Sequence, residues 1–489
     1  MKARLTVGLT HARLGALYAP SSMTVKTPHI GIVMTDFSML ELPPAQQKNL
    51  RDLGYLRMTP VQMAALPTAL AGVDQMIQAE TGSGKTVAFG LPGLQKINPR
   101  DFSTQTLVMC PTRELAAQVA VEIRRLARFQ ANLKVVVLCG GVPIGPQIGS
   151  LEHGAHVVVG TPGRLLDHLR KGTLVLPRLS VLVLDEADRM LDMGFGETVL
   201  DIITKMPKTR QTILCSATLP DDIERMSRHI QQQPERITVE SSQDPKITEI
   251  FVRVDKGMKS DALLGLLQTH QPEAVVVFCQ TRKGVAQLAD AVNASGMRAL
   301  ALHGDLDQRQ RDDVLLRFRH GSVRMLIATD VAARGLDIAA LPMVINFDLP
   351  HDSETYIHRI GRTGRAEADG VALSLFETSE KFKIERLQAE LSSEITPITA
   401  PNYRPDAIVL PPAEFRTIEL SLGRKDKIRA GDILGAITGS LGFPSDIVGK
   451  IDIKDRAAFV SIHKSRAHDV FKALGNGTVK RRRPKVRMY

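Results

Sequence analysis

The sequence predicts an α/β protein: two successive parallel-sheet domains followed by a small, basic α+β domain. Three observations predict it. Short continuous apolar runs, each ending in small or polar residues, recur in two series along the first 400 of the 489 residues. Runs of this kind read as strands buried on both faces, as in parallel sheets covered by helices. A stretch with five prolines (Pro397, Pro401, Pro405, Pro411, Pro412) then precedes a different order of elements. The charge is also unevenly placed. Residues 401–489 hold 18 Lys+Arg against 9 Asp+Glu, which leaves 45 against 43 elsewhere, so +9 of the net +11 lies in the last stretch. A near-neutral body with a basic appendage points to a polyanionic partner.

In the first series, residues 75–79 lead into a glycine-rich turn and a helical stretch at 87–94. Runs at 106–110, 135–138, 156–159, 181–184 and 212–215 precede PTREL, CGG, GTPGR, DEAD and SAT, with a helix-like segment at 113–129. Ligands of such sheets sit at the carboxyl ends of the strands, and every one of these motifs falls there. Residues 231–248 are polar and broken by Pro234 and Pro245, after which the pattern restarts. Runs at 274–278, 298–302, 324–328 and 343–347 precede CQT, HGD, TD and DLP. This second domain has no GK[ST] after its first run, so it should hold no nucleotide of its own. The expected boundaries are 34–241 and 245–394 for the two sheet domains, 395–414 for a proline-rich linker and 415–489 for the tail domain. Within the tail, strand 417–422, helix 431–440, strands 448–453 and 457–462, helix 466–474 and a basic last strand give the βαββαβ order of RRM-type RNA-binding domains. Stacking aromatics on its central strands are scarce, Phe459 alone being expected there, so basic loops must carry more of the binding.

Composition closes off other classes. Hydrophobic residues at 43% and charged residues at 24% exclude wholesale disorder. No run of 18 apolar residues occurs, which excludes a membrane-spanning helix. The first 33 residues are basic and their apolar runs are interrupted, so they are expected to be a disordered extension or an overcalled start rather than a secretory signal. Cys110, Cys139, Cys215 and Cys279 lie far apart without CxxC spacing. That excludes a zinc ribbon and fits reduced cytoplasmic thiols without disulfides.

Three constellations carry chemistry. In Ala79–Thr86, glycines let backbone N–H groups face phosphate, the following helix adds its positive end, Lys85 reaches the outer phosphates and Thr86 offers a magnesium ligand. Asp185 and Glu186 leave a buried strand roughly 100 residues later, where an NTPase holds magnesium and polarises water; the other reading of such a pair is a helix N-cap. His358, Arg359, Arg362 and Arg365 cluster in the second domain. That run is either a basic surface loop or a cationic group donated across the interdomain cleft to the γ-phosphate, making hydrolysis depend on closure.

Phe37 with Gln62, AETGSGKT, PTREL, GG, TPGR, DEAD, SAT, HGD, Gln308–Arg311, ATDVAARGLD and HRIGRTGR stand in the order and spacing of DEAD-box RNA helicases, and the chain resembles that family from about Phe37 to Leu391. Met58 stands where the family usually has proline. The resemblance implies two RecA-like domains, ATP, magnesium and RNA. Carried over, Phe37 stacks on adenine and Gln62 reads its edge. Ala79, Thr81, Gly82, Ser83, Gly84, Lys85 and Thr86 form the phosphate loop, and Gly335 and Asp337 lie at the ribose side. Asp185 acts through magnesium-bound water, Glu186 orients and deprotonates the attacking water, and Arg362 and Arg365 are the arginine fingers. Asp188, Ser216, Thr218 and His358 couple the cleft to the RNA path. RNA lies on Pro111, Thr112, Arg113, Gly141, Thr161, Arg164, Arg311 and Thr329, with Arg481, Arg482 and Arg483 added from the tail. A tail containing GRKDKIRAGDILGAITG resembles the bacterial DEAD-box protein A group, which implies action on large-subunit ribosomal RNA and pre-ribosomal particles; a monomer is expected. A helicase of RNA decay or cold adaptation, an ATP-gated RNA clamp and a DNA translocase are the competing readings.

Overall fold

The computed structural model describes residues 35–80, 82–239, 247–333, 341–364, 369–391, 395–404 and 410–489. Thr81, Gly335, Asp337, Arg365 and the N-terminal extension lie outside the described residues.

Two seven-stranded parallel sheets and one four-stranded antiparallel sheet make up the chain. The first sheet runs, from edge to edge, Val135–Leu138, Val157–Gly160, Thr106–Met109, Val181–Leu184, Gln211–Ser216, Gln75–Gln78 and Glu235–Thr238. Four of these strands are buried at every residue, because helices cover both faces. All strands point the same way, so every motif of the first domain emerges at one end. The order then sorts them. Strands 181–184, 211–216 and 75–78 are neighbours and carry DEAD, SAT and the phosphate loop, while strands 135–138, 157–160 and 106–109 carry the residues expected to meet RNA.

The second sheet repeats the order: Ala299–Leu302, Met325–Ala328, Val275–Phe278, Met343–Asn346, Gly370–Glu377, Ile247–Val254 and Ile398–Thr399. Two sequence expectations change here. The polar stretch 231–248 is not simply a connection, since Glu235–Thr238 closes the first sheet at its edge. The second domain's first strand is Ile247–Val254, not 274–278. Its polar side chains Thr248, Glu249 and Arg253 sit on exposed positions, which hides the strand from an apolar-run reading. Within the stretch expected as a linker, Ile398–Thr399 pairs with this strand, and Gln268 donates to the Arg404 carbonyl at 2.6 Å.

The tail orders its strands Val448–Ile453, Ala458–His463, Phe415–Leu420 and Val486–Met488, the RRM-type arrangement expected. Ile418, Leu420, Val460 and Ile462 face the helices, where they pack on Ile433, Ile437, Val470 and Leu474. The first strand begins at Phe415, two residues before its expected start, so a second aromatic joins Phe459 on the sheet. The helix-free face is partly covered by the second domain. Ser322 and Thr417 hydroxyls lie 2.6 Å apart, His320 Nε2 meets Asp452 at 3.0 Å, and Lys454 lies 3.7 Å from Asp312. Thr417 and Ser461, on the face that a lone sheet would show to water, are 0% and 1% exposed.

Candidate active site and nucleic-acid interface

The phosphate loop follows the strand Gln75–Gln78 and ends in the helix Lys85–Gln95. Gly82 and Gly84 have φ of +92° and +96°, a region that favours glycine. At Gly84 a Cβ would also collide with the Gln62 amide and Thr59 hydroxyl. Those two form a capping box at the helix Pro60–Leu70 and brace the loop. Gln62 accepts from the Thr59 N–H at 2.9 Å and donates to the Gly84 carbonyl at 3.1 Å; Thr59 donates to the Ser83 carbonyl at 2.7 Å. Lys85 is turned back to donate to the Ala79 carbonyl. Phe37 opens a single turn capped by Asp36; its ring is buried, edge-on to Tyr55 at 6.3 Å.

Asp185 and Glu186 end the strand Val181–Leu184 and are 4% and 5% exposed. Burial pushes the Asp185 carboxyl up to about 7, against the pull of Lys85 and with a further push from Glu186. Glu186 occupies the N-cap position of the helix Ala187–Asp192 but makes no side-chain capping bond. Its backbone is left-handed, φ 54° and ψ 55°, a conformation a non-glycine residue adopts at a cost of order 1–3 kcal/mol. The carboxylate lies 3.2 Å from Arg189. Asp188 accepts the backbone N–H groups of Arg189 (2.9 Å), Ala217 (2.9 Å) and Thr218 (3.0 Å), and Ser216 accepts the Asp188 N–H at 3.3 Å. Although burial opposes it, these donors hold the Asp188 carboxyl below its ordinary value.

The second domain reaches this cluster through the helix Ser353–Ile360. His358 is held down to about 4, first by burial and then by Arg189 across the cleft, with Asp188 and Glu186 opposing. Glu354 accepts from the Thr218 hydroxyl at 3.0 Å. Arg362 is buried and lines a small cavity with Arg189, His358, Asp330 and Phe278. Arg359 is already committed: its guanidinium pairs with Asp330 at 2.6 and 2.8 Å, donates to Asn346 and the Asp348 carbonyl, and lies over the Phe278 ring. Asp188, Glu354 and His358 each bring a ligand atom within 4.8 Å of the others, but both Asp188 oxygens already accept amide hydrogens, which makes it a poor cation ligand.

The residues expected to meet RNA converge on the other half of the first sheet. Thr112 caps the helix Arg113–Leu126 and Thr161 stands at the start of Pro162–Arg170. Pro111 is buried behind them. Arg113 lies across Gly141, where a Cβ would displace it, and Gly141 has φ +70°. Arg164 donates to the Val142 carbonyl at 2.9 Å. From the second domain, Arg311 crosses to Glu114 at 3.3 Å, and Thr329 is buried at the end of Met325–Ala328. The tail arginines divide. Arg482 pairs with Asp426 and Arg483 donates to the Gly475 carbonyl at 3.1 Å. Arg481 makes no side-chain bond among the described residues and sits with Lys480 in a turn where both have positive φ (63° and 51°).

Residues 59–226 match the family model of the DEAD/DEAH box helicase, 258–367 the helicase conserved C-terminal domain, and 417–488 the DbpA RNA binding domain. The ATP-dependent RNA helicase DbpA of Escherichia coli (strain K12) is 49% identical over 461 residues, covering 93% of this chain and all of that protein. The chain belongs to the DbpA group of DEAD-box ATP-dependent RNA helicases. The Bacillus subtilis (strain 168) protein of the same name is 39% identical over 93% of this helicase and 99% of its own length. The structure of S. cerevisiae Dbp5 bound to RNA and ADP BeF3 matches with a TM-score of 0.68 at 31% identity, over 75% of this helicase and 96% of that chain.

Sequence reasoning about the helicase missed Arg189 and Glu354. Arg189 had a signal: it stands three residues after Glu186, on the short helix whose N-cap position Glu186 occupies. Glu354 had none, since its partner lies 136 residues away.

Proposed function

We propose that this helicase couples RNA-stimulated ATP hydrolysis to local unwinding of short duplexes in large-subunit ribosomal RNA, working as a monomer on pre-ribosomal particles in the cytoplasm. The observation that carries the RNA target is the tail: a basic domain of the DbpA RNA-binding type, braced on the second sheet domain through its helix-free face. Recognition is then left to its loops, with Arg481 the cation best presented and Arg482 and Arg483 partly spent on the fold.

In this reading Phe37 and Gln62 take adenine. Gln62 uses one acceptor and one donor site on Thr59 and Gly84, which leaves it one N–H and one lone pair for the base edge. The N–H groups of the phosphate loop and the Lys85 ammonium bind phosphate, Lys85 exchanging a neutral carbonyl for an anion. Thr86 and Asp185 would hold magnesium, and the site fits it: a buried carboxyl pushed up to about 7 marks a place short of positive charge. When bound, the ion supplies neutralisation of the phosphate oxygens. Glu186 orients water and accepts its proton, held by Arg189 and by its left-handed backbone. Arg362, with Arg365, stabilises the developing charge, and Asp337 and Gly335 contact the ribose side. Pro111, Thr112, Arg113, Gly141, Thr161, Arg164, Arg311 and Thr329 hold the RNA backbone, which carries no sequence information.

ATPase activation by large-subunit ribosomal RNA, compared with an unrelated RNA of equal length, tests this. The full chain should prefer the ribosomal RNA, and removal of 415–489 should erase the preference while leaving hydrolysis. A truncated protein that prefers ribosomal RNA as strongly as the full chain would contradict it.

A further inference from the structure

The hydroxyl of Thr218 stands between two carboxylates, one from each sheet domain. It lies 3.0 Å from Glu354 Oε1 and 3.3 Å from Asp188 Oδ2. A hydroxyl has one hydrogen to give. Asp188 Oδ2 already receives two backbone N–H groups at 2.9 and 3.0 Å, so the Thr218 hydrogen goes to Glu354. The second domain thus reaches the Ser216–Thr218 turn through a charge-assisted bond. The same turn supplies the amides that fix Asp188, two residues from Glu186. Glu354 makes this contact in unfavourable company. Burial and the carboxylates Asp192, Asp188 and Asp352 push its carboxyl above the ordinary value, and the Thr218 hydrogen bond opposes them. His358, one turn further along the same helix, faces Asp188 and the guanidinium groups of Arg189 and Arg362.

We infer that Glu354 is a positioning residue for hydrolysis: by accepting the Thr218 hydroxyl it ties closure of the cleft to the placement of Asp188 and Glu186. The inference rests on the ATPase reading above and adds a residue to it. Glu354 also sits in the first turn of its helix, where a negative charge is favourable. A residue serving only that purpose would affect stability when replaced and leave turnover alone.

The test measures steady-state ATP turnover with saturating RNA in the full chain carrying Glu354→Ala or Glu354→Gln. Glu354→Ala should lower kcat about tenfold, the worth of one charge-assisted hydrogen bond, with KM for ATP changed less than about twofold. Glu354→Gln keeps an acceptor oxygen for Thr218 and should restore most of the rate. Adding Thr218→Val to Glu354→Ala should cost little more, because the two act through one bond. A Glu354→Ala protein at wild-type kcat, a Glu354→Gln protein as slow as Glu354→Ala, or additive losses in the double variant would each overturn the inference. Wild-type turnover measured in parallel keeps the two claims apart: full activity of Glu354→Ala beside an RNA-stimulated wild type sinks this inference alone.

Discussion

The two seven-stranded sheets share one strand order, yet the loops after their sixth strands do different things. In both, a glycine with positive φ precedes the helix, Gly84 at +96° and Gly257 at +78°, and a lysine opens it, Lys85 in Lys85–Gln95 and Lys259 in Lys259–His270. The first loop is long and glycine-rich, and its lysine rests on a neutral carbonyl that an anion can replace. The second loop has one glycine, and Lys259 is bound by Glu380 at 2.7 Å and Asp348 at 3.5 Å. A phosphate site therefore needs more than the topology and a helix N-terminus. It needs backbone N–H groups turned inward and a cation not yet neutralised by carboxylates. The second domain's loop has a single glycine and a lysine already paired with carboxylates, and that domain brings Arg359 and Arg362 to the cleft instead.

The largest expected effect separates the two lysines. Lys85→Ala should cut ATP turnover by at least about a hundredfold, since an aligned charge at the phosphate is lost. Lys259→Ala should leave ATP binding unchanged and destabilise the protein by about 2 kcal/mol, because two half-buried carboxylates lose their cation. Nucleotide titration and thermal unfolding of both variants check this; weakened ATP binding in Lys259→Ala would break the comparison.

A smaller effect concerns pH at the cleft. His358 is held down to about 4 when packed against the first domain, from an ordinary 6.5, so the closed form keeps it neutral. Separation of the domains removes Arg189 and much of the burial. The open form then binds more protons between about pH 6.5 and 4, and acidification through that window favours opening, while above it the term vanishes. At about pH 5.5 the shift toward the open form should be about tenfold relative to neutral pH. RNA-stimulated turnover should fall on that limb, and His358→Gln should flatten it; an unchanged acid limb in His358→Gln assigns the loss elsewhere.

The sheets were legible where burial is two-sided. Runs such as Val181–Leu184 show no polar residue to confuse the reading. Ile247–Val254 escaped because Thr248, Glu249 and Arg253 stand on exposed positions, and Phe415 because it follows prolines. The same division holds at the site. Lys85, Asp185 and Glu186 could be singled out because each stands inside a short motif at a strand end, whereas Asp188 entered only through the family resemblance. From the residues alone Arg359 and Arg362 could not be told apart in HRIGRTGR; only the resemblance favoured Arg362, and the fold adds that Asp330 and Asn346 engage Arg359. The covering of the tail's sheet by His320 and Ser322 was equally invisible, because it depends on two surfaces that meet only after each has folded.

A division of labour in which the first domain binds nucleotide and the second completes hydrolysis across the cleft makes a sharp demand on Arg362. The most direct measurement is ATP affinity and turnover, side by side, in the full chain carrying Arg362→Ala at saturating RNA. ATP affinity should stay within a few-fold of wild type while kcat falls roughly a thousandfold, as when an arginine finger is removed. An Arg362→Ala protein that turns over ATP at the wild-type rate would contradict that division.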